Sequence, residues 1–303
     1  MDVGNEIFAR SILAEKSPAP ALSRHLAIKI LDGITRSFRC FQTPFESYNG
    51  AHHIVKTGSL EMADKAMLVV SAHSADFVWR AGGAIALHKK NGYRAKVVCL
   101  SFGERGESAR LWRKGEMTIE KVKGARREEA ERAADVLGAE VEFFDLGDYP
   151  LRVSDEALMR LVDVYRELQP AFVLSHSQKD PYNFDHPLAM HVAQEARIIA
   201  QAEGHHPGQK VAGAPPVYAF EPHQTEQCEW TPNTFLDITE VWETKRRAIE
   251  CMAGQEHLWE YYTRVALQRG VQAKRNIGIT ATRDIRYAEG YQRITPAVTG
   301  DLA

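Results

Sequence analysis

The chain has 303 residues, with 38 Lys or Arg against 40 Asp or Glu, so its formal charge is −2. With an isoelectric point near 6.6, it lacks the excess positive charge on which general binding of nucleic acid or anionic membranes depends. No apolar run approaches the roughly 20 residues that span a bilayer. We therefore expect one sizeable soluble domain that acts on small molecules, without nucleic-acid or membrane partners.

Residues 1–61 precede the first strong strand pattern. They contain too many acidic residues for a transit peptide and lack the apolar core of a signal peptide. We expect this segment to be an N-terminal extension, either disordered or the result of an over-long start with Met62 as the true initiator. The catalytic domain is predicted to cover 62–303.

From residue 67 onwards, apolar strand-like runs alternate with helical patterns. Strands are predicted at 67–73, 96–102, 140–146 and 171–177, and helices at 77–91, 118–137, 155–168 and 187–203. Strands near 217–221 and 234–238 follow, and then a helix from about 240 into the 260s. Such alternation predicts a Rossmann-like α/β fold, with a mostly parallel sheet and helices on both faces.

Two potential metal ligands, His73 and Asp76, follow the first buried strand. Because open α/β sheets bind ligands at the carboxyl ends of their strands, both side chains can reach one point above that edge. Asp is also a preferred N-cap residue, so capping of the next helix is an equal alternative for Asp76. A third ligand is needed to decide between metal binding and helix capping.

The segment Asp185, His186, Pro187 supplies that third ligand after the strand at 171–177. Pro187 suits the first helical position, where its missing amide hydrogen has no cost, so His186 is expected at a helix start beside a strand end. Asp185 either caps this helix or orients a ligand imidazole. The three residues His73, Asp76 and His186 therefore predict one mononuclear metal site.

These motifs resemble those of the LmbE/PIG-L superfamily, and the resemblance runs from about residue 66 to near the C-terminus. In that family the first His, the second Asp of the first motif and the later His bind zinc, which implies His73, Asp76 and His186 here. Most members are amide hydrolases whose base is the first Asp of the motif, a position that Ala75 occupies in this chain. Without that base an amidase would lose about 10²–10⁴ in rate.

Two further family positions also differ, since Phe77 and Asn183 stand where a Glu and a His are usual. Within the superfamily, segments 72–83, 101–108, 180–183 and 221–224 resemble the 4-oxalomesaconate hydratases of gallate breakdown. This resemblance implies a zinc enzyme that adds water to the carbon–carbon double bond of a tricarboxylate, 4-oxalomesaconate, giving 4-carboxy-4-hydroxy-2-oxoadipate.

Hydration needs groups that move protons. We expect Glu107, in the loop after strand 96–102, and His223, after strand 217–221, to serve as acid and base, with Glu104 as a competing base. The alternatives are a solvated loop carboxylate for Glu107 and a surface histidine for His223.

The substrate's carboxylates also need cations. Arg105 and Arg110 lie in the loop that carries Glu107, and a guanidinium can hold a carboxylate by two parallel hydrogen bonds. Asn183 cannot act as an acid at neutral pH, so we expect it to position substrate or water. Solvated surface charge is the alternative for the arginines.

Two other functions stay open. The chain is either a metal-dependent N-deacetylase of an amino sugar, with Glu104 or Glu107 as the substitute base, or a non-catalytic ligand-binding α/β module. Release of acetate would distinguish the deacetylase. The four cysteines are widely spaced without a Cys-x-x-Cys pair, which predicts reduced thiols and a cytoplasmic location. We also expect a homo-oligomer.

Overall fold

A computed structural model describes residues 65–278 and 282–300, so the predicted N-terminal extension lies outside the described residues. Within them, seven strands form one sheet. The strands are β1 (Ala66–Ser71), β2 (Arg94–Cys99), β3 (Glu140–Phe143), β4 (Phe172–Ser175), β5 (Val217–Phe220), β6 (Thr234–Asp237) and β7 (Ala288–Arg293).

Seven α-helices connect or flank these strands in the described part of the chain. They are α1 (Asp76–Lys90), α2 (Ala109–Trp112), α3 (Ile119–Leu137), α4 (Asp155–Leu168), α5 (Asp185–Ala200), α6 (Trp242–Glu250) and α7 (Trp259–Asn276). The helix α4 begins after Ser154, whose side chain accepts a hydrogen bond from the backbone N of Ala157. This N-cap fixes the start of the helix, whose observed bounds equal the predicted ones.

The strand order is β3-β2-β1-β4-β5-β7-β6. The first five strands in this order are parallel to one another, whereas β7 is antiparallel to both β5 and β6. Alternate residues of β1 enter different cores, with Met67 and Val69 on one face and Leu68 and Val70 on the other. A strand that is apolar on both faces needs cover on both.

Helices supply that cover. Buried residues of α1, α3, α6 and α7 share the core that contains Val69, and buried residues of α4 and α5 share the core that contains Leu68. The predicted α/β fold, with a mostly parallel sheet and helices on both faces, is confirmed.

Two predictions about the C-terminal third need correction. The predicted helix from 240 into the 260s is two helices, α6 and α7, separated by a 3₁₀ segment at Ala253–Leu258. The backbone N of Gly254 in that segment donates to Oε1 of Glu129 at 2.8 Å, which holds it against α3. The strand β7 was not predicted, because its sequence, with Glu289 and Gly290 inside it, has no apolar run.

Apart from α4, the other predicted strands and helices have shifted bounds. The predicted strand 96–102 is observed as Arg94–Cys99, and the predicted helix 187–203 is observed as Asp185–Ala200, two residues earlier at the start and three at the end. Residues 100–107 therefore form the connection that leaves the sheet. Among the described residues Cys99, Cys228 and Cys251 are free thiols. None of the helices described here has both the length and the apolar composition needed to cross a bilayer.

Candidate active site

The sheet has a switch point between β1 and β4. These strands are neighbours, although the chain reaches β4 only after passing through β2 and β3 on the other side of β1. Connections that leave the two strands diverge there, and open α/β sheets form their ligand crevices at such points. His73 lies in the turn after β1, and His186 lies in the first turn of α5, which follows β4. The fold thus brings two distant motifs to one edge.

Four side chains converge at this edge. One ligand-type atom from each of His73, Asp76, Glu107 and His186 lies within 4.8 Å of the others. Nδ1 of His73 is 3.2 Å from Oδ2 of Asp76 and 3.2 Å from Oε1 of Glu107. Nε2 of His186 is 3.7 Å from Oδ1 of Asp76 and 3.8 Å from Oε1 of Glu107. The three predicted ligands are therefore neighbours, and Glu107 belongs to the same cluster.

Asp76 does not cap α1. The helix has Ala75 at its N-cap position and no side-chain capping bond. The Oδ2 atom of Asp76 instead accepts a hydrogen bond of 2.9 Å from the backbone N of His73, which holds the carboxylate beside the imidazole. The capping alternative for Asp76 is therefore wrong.

Two further carboxylates contact the outer nitrogens of the histidines. Oδ2 of Asp185 lies 3.3 Å from Nε2 of His73, and Oδ2 of Asp180 lies 2.8 Å from Nδ1 of His186. A carboxylate that accepts the N–H of an imidazole leaves the opposite nitrogen free to bind a metal. The free nitrogens are then Nδ1 of His73 and Nε2 of His186, which both face the cluster.

The cluster contains more negative than positive groups. Four carboxylates surround the two imidazoles: Asp76, Glu107, Asp180 and Asp185. Among the described residues the guanidinium that approaches them belongs to Arg80, whose Nη2 is 3.9 Å from Oδ1 of Asp76. Burial lowers the pKa of His73, but the carboxylates of Glu107, Asp185 and Asp76 outweigh burial and raise that pKa well above its ordinary value.

Four carboxylates with one guanidinium near them leave negative charge uncompensated in a largely buried place, which is costly, so this arrangement fits a cation at its centre. Two imidazole nitrogens and one or two carboxylate oxygens form a donor set that zinc binds readily. The geometry therefore supports a candidate divalent metal site at His73, Asp76 and His186, with the carboxylate of Glu107 beside it.

Asp148 holds the loop that carries Glu107. Its Oδ2 accepts a 2.7 Å hydrogen bond from the backbone N of Gly106, and its Oδ1 accepts a 2.9 Å bond from the backbone N of Arg105. Gly103 has a φ of +69°, and a Cβ built there would lie 3.2 Å from Cβ of His73. Only glycine adopts this backbone beside the metal site without strain.

Glu107 itself is 15% exposed at its side chain. Burial raises its pKa, but His73 and His186 outweigh burial and hold the pKa well below the ordinary range. Glu104, the competing base, is fully buried outside the cluster, where burial raises its pKa. Its Oε1 pairs with Nη1 of Arg105 at 3.4 Å. The two glutamates therefore differ in environment: the pKa of Glu107, in the cluster, is lowered, and the pKa of Glu104, outside it, is raised.

A cavity of about 960 Å³ opens above the cluster. The residues that line it include Glu107, Asn183, His186 and His223, and also Arg110, Arg113 and His257. A space of this size accommodates a small organic acid with several carboxylates.

The three residues predicted to bind substrate are placed differently. Asn183 and Arg110 line the cavity, and Nδ2 of Asn183 donates to Oε1 of Glu107 at 3.4 Å. Arg105 is not among the lining residues, since its Nη1 donates to the carbonyl oxygen of Asp148 at 3.0 Å and pairs with Glu104. Arg113, from the same stretch of sequence, lines the cavity instead.

His223 lines the same cavity, after the end of β5. Its Nε2 lies 3.3 Å from the hydroxyl of Tyr262, and its carbonyl oxygen accepts a 2.9 Å bond from the hydroxyl of Tyr261. His223 is exposed towards the cavity, yet the protein packed around its ring, aided by the charge of Arg80, lowers its pKa. His223 is therefore a neutral imidazole at neutral pH.

Sequence reasoning had not assigned Arg80 or Tyr262. Arg80 lies four residues after Asp76 on α1, a spacing that puts both on one helix face and was the available signal. Tyr262 lies on α7, and no motif connects it with the distant ligands. His176, the residue after β4, stacks on His186 with ring centroids 4.2 Å apart.

Residues 68–197 match the family described as PIG-L: GlcNAc-PI de-N-acetylase. The 4-oxalmesaconate hydratase of Pseudomonas putida KT2440 is 72% identical to this chain over 251 residues, which are 83% of this chain and 97% of that protein. The diacetylchitobiose deacetylase of Thermococcus kodakarensis is 29% identical over 247 residues, 77% of this chain and 84% of that protein.

Solved structures agree. The crystal structure of GalB, the 4-carboxy-2-hydroxymuconate hydratase of Pseudomonas putida KT2440, has 76% sequence identity and a TM-score of 0.78, and covers 79% of this chain and 100% of its own. The N,N'-diacetylchitobiose deacetylase of Pyrococcus horikoshii shares the fold, with a TM-score of 0.62 at 23% identity over 76% of this chain and 84% of its own. The resemblance inferred from the motifs is confirmed, and the chain belongs to the PIG-L/LmbE family and, within it, to the 4-oxalmesaconate hydratases.

Proposed function

We propose that this chain is a zinc-dependent hydratase that adds water to the double bond of 4-oxalomesaconate and forms 4-carboxy-4-hydroxy-2-oxoadipate, in gallate breakdown. The observation that carries the proposal is the metal-type cluster beside Ala75, which is fully buried at the position of the amidase base. The chain thus has the metal-ligand residues of the family but lacks the carboxylate that the amide hydrolases use as their base. The 72% identity to a hydratase, over 97% of its length, supports the same reaction.

The two hydratase relatives are named after different forms of substrate, 4-oxalmesaconate and 4-carboxy-2-hydroxymuconate. These are the keto and enol tautomers of one tricarboxylate, and both contain the double bond that is hydrated. We propose that this tricarboxylate, in either form, enters the cavity above the cluster.

Zinc would be held by Nδ1 of His73, a carboxylate oxygen of Asp76 and Nε2 of His186. When bound, the metal supplies Lewis acidity, which polarises an oxygen ligand and makes water easier to deprotonate. Three protein ligands leave a coordination position open, as is usual in catalytic zinc sites. Asp185 and Asp180 would fix the ring orientations of the two histidines.

Addition of water breaks one O–H bond and the π bond of the alkene and forms a C–O and a C–H bond, so one group must accept a proton from water and a proton must reach carbon. Glu107 fits the first role, because its carboxylate lies within the cluster and on the cavity. His223 lies on the same cavity and acts on the substrate rather than on the attacking water. Negative charge that develops on oxygens conjugated with the double bond needs a hydrogen-bond donor there.

The carboxylates of the substrate would bind to Arg110, Arg113 and Asn183. Arg110 already pairs with Glu256, its Nη1 lying 3.2 Å from Oε2, and both side chains are about half exposed. Arg113 has no ion-pair partner among the residues that the structure describes, so its guanidinium is free to take a substrate carboxylate in two parallel bonds.

The test is an ultraviolet assay of the purified full-length chain, zinc-loaded and then chelated, with both tautomers of the substrate. We expect rapid loss of the conjugated-alkene absorbance only when zinc is present, with the hydroxy acid identified by mass spectrometry. No loss with one metal ion confirmed per chain would contradict the proposal. Release of acetate from N,N'-diacetylchitobiose would then support the deacetylase alternative, and binding without turnover the non-catalytic one.

We also propose a cytoplasmic homo-oligomer. Light scattering of the purified chain tests the assembly, and a mass equal to that of a single chain would contradict it.

A further inference from the structure

The ring of His223 is held on one side by a tyrosine. The hydroxyl oxygen of Tyr262 lies 3.3 Å from Nε2 of His223, and no described residue is hydrogen-bonded to Nδ1. Tyr262 is 5% exposed and stacks on Trp79, with ring centroids 5.2 Å apart and planes at 9°. The ring of Tyr262 is thus fixed by packing that does not involve its hydroxyl.

On its other side, the hydroxyl of Tyr262 meets a guanidinium. Nε of Arg80 donates to this oxygen at 3.3 Å, while Nη1 of Arg80 lies 3.2 Å from Nδ1 of His176. Arg80 is buried, stays charged and has no acceptor atom. The oxygen of Tyr262 is therefore an acceptor towards Arg80, and its single O–H proton is left for another partner.

That partner is Nε2 of His223, the other atom that hydrogen-bonds to the hydroxyl within the described chain. If Nε2 carried a proton instead, the O–H of Tyr262 would be buried without an acceptor, at a cost of about 1–3 kcal/mol. A tyrosine that donates to Nε2 requires a lone pair there, and a neutral imidazole then carries its proton on the other nitrogen.

We infer that Tyr262, oriented by Arg80, fixes the tautomer of His223 with its proton on Nδ1, so that His223 offers the cavity a hydrogen-bond donor for an oxygen of the substrate. Arg80 and Tyr262 are positioning residues, because they act on the substrate through His223. Of the two groups assigned to the proton chemistry, Glu107 is then the base, since His223 has no free lone pair towards the cavity.

The role towards substrate rests on the proposed hydratase function, whereas the tautomer does not. The tautomer is measured on zinc-loaded, full-length protein labelled with ¹⁵N-histidine, by long-range ¹H–¹⁵N correlation spectra. The His223→Asn variant identifies the signal among the 12 histidines of the chain. We expect a neutral ring protonated on Nδ1. A ring protonated on Nε2 would overturn the inference.

The Tyr262→Phe variant removes the hydroxyl and keeps the stacked ring. We expect the signal of His223 to move towards the tautomer protonated on Nε2, because the donor that opposes it is gone. The matched control is Tyr261→Phe. It removes the hydroxyl that donates to the backbone carbonyl of His223 and leaves the hydrogen bond between Tyr262 and the His223 ring intact. An unchanged tautomer in Tyr262→Phe, or equal shifts in both variants, would overturn the inference.

Turnover gives a second readout. We expect Tyr262→Phe to lower kcat about tenfold with little change in KM, because the substrate still binds but meets a mixture of tautomers. If the tautomer is as inferred but wild-type protein does not hydrate 4-oxalomesaconate, the proposed function fails and the role of Tyr262 stands. If hydration proceeds and kcat of Tyr262→Phe is unchanged, the inferred role in catalysis fails.

Discussion

Glu289 and Asp76 of the candidate metal site are both buried carboxylates at α1, yet they are balanced in different ways. Glu289 accepts 2.7 Å hydrogen bonds from the backbone N atoms of Gly83 and Ala84 and a 2.6 Å bond from the hydroxyl of Tyr291. Nζ of Lys245 lies 2.7 Å from its Oε1. One cation and three neutral donors therefore satisfy this carboxylate within the chain.

Asp76 and Glu107 have no such set. Their oxygens face the imidazoles of His73 and His186, and the approaching guanidinium of Arg80 is 3.9 Å from Asp76. The difference teaches how to tell a structural carboxylate from a ligand-binding one. The first is neutralised by the protein's own donors, whereas the second has an incomplete set of donors and fits a bound cation.

The Asp76→Asn variant breaks this contrast most strongly. We expect its zinc content to fall from about one ion per chain to near zero and its turnover to fall about 1000-fold, because an amide is a poor zinc ligand and the Lewis acid is lost. Elemental analysis and the ultraviolet assay measure the two effects. Full zinc content in this variant would remove Asp76 from the ligand set.

The Glu289→Gln variant tests the other cluster. It leaves the ammonium of Lys245 buried without its counter-charge, so we expect the free energy of unfolding to fall by about 3–5 kcal/mol in urea titrations. Zinc content should stay near one per chain, unlike in Asp76→Asn. The double variant Lys245→Met, Glu289→Gln should recover part of the stability. A loss of zinc would show that the two clusters are not separate.

Glu107 lies in the cluster but is assigned to proton transfer, and Glu107→Gln separates these roles. We expect turnover about 100-fold lower with zinc content unchanged. His223→Asn should lower turnover at least tenfold, again with zinc retained. Loss of zinc from Glu107→Gln would instead make Glu107 a ligand, and near-normal turnover in both variants would remove the acid/base assignment.

The smallest expected effect concerns Arg113, whose guanidinium has no ion-pair partner among the described residues. Lys245 has its carboxylate within the protein, whereas Arg113 lines the cavity without a described partner. We expect Arg113→Gln to raise KM about tenfold with kcat nearly unchanged, from the loss of charge-assisted bonds to a substrate carboxylate. Arg105→Gln is the matched control, and it should change KM little because Arg105 binds the Asp148 carbonyl. A larger effect at Arg105 would restore the prediction made from sequence.

The sequence by itself determined the α/β fold and named three candidate metal ligands, His73, Asp76 and His186. The apolar run of β1 requires burial on both faces, and His73 and Asp76 follow it directly, so the position of the site at the sheet edge follows from local pattern. The N-cap at Ser154 likewise marked the start of α4. These features depend on residues close together in the chain, where spacing and residue type carry the information.

Only the tertiary structure decided the rest. Arg105 and Arg113 look alike in sequence, but Arg105 is held by Asp148, 43 residues away, whereas Arg113 lines the cavity. Likewise β7 has no apolar run and is a strand because β5 and β6 pair with it. Tyr262 reaches His223 only through the packing of α7. Contacts between distant segments leave no periodic pattern in the sequence, since each depends on how the elements pack.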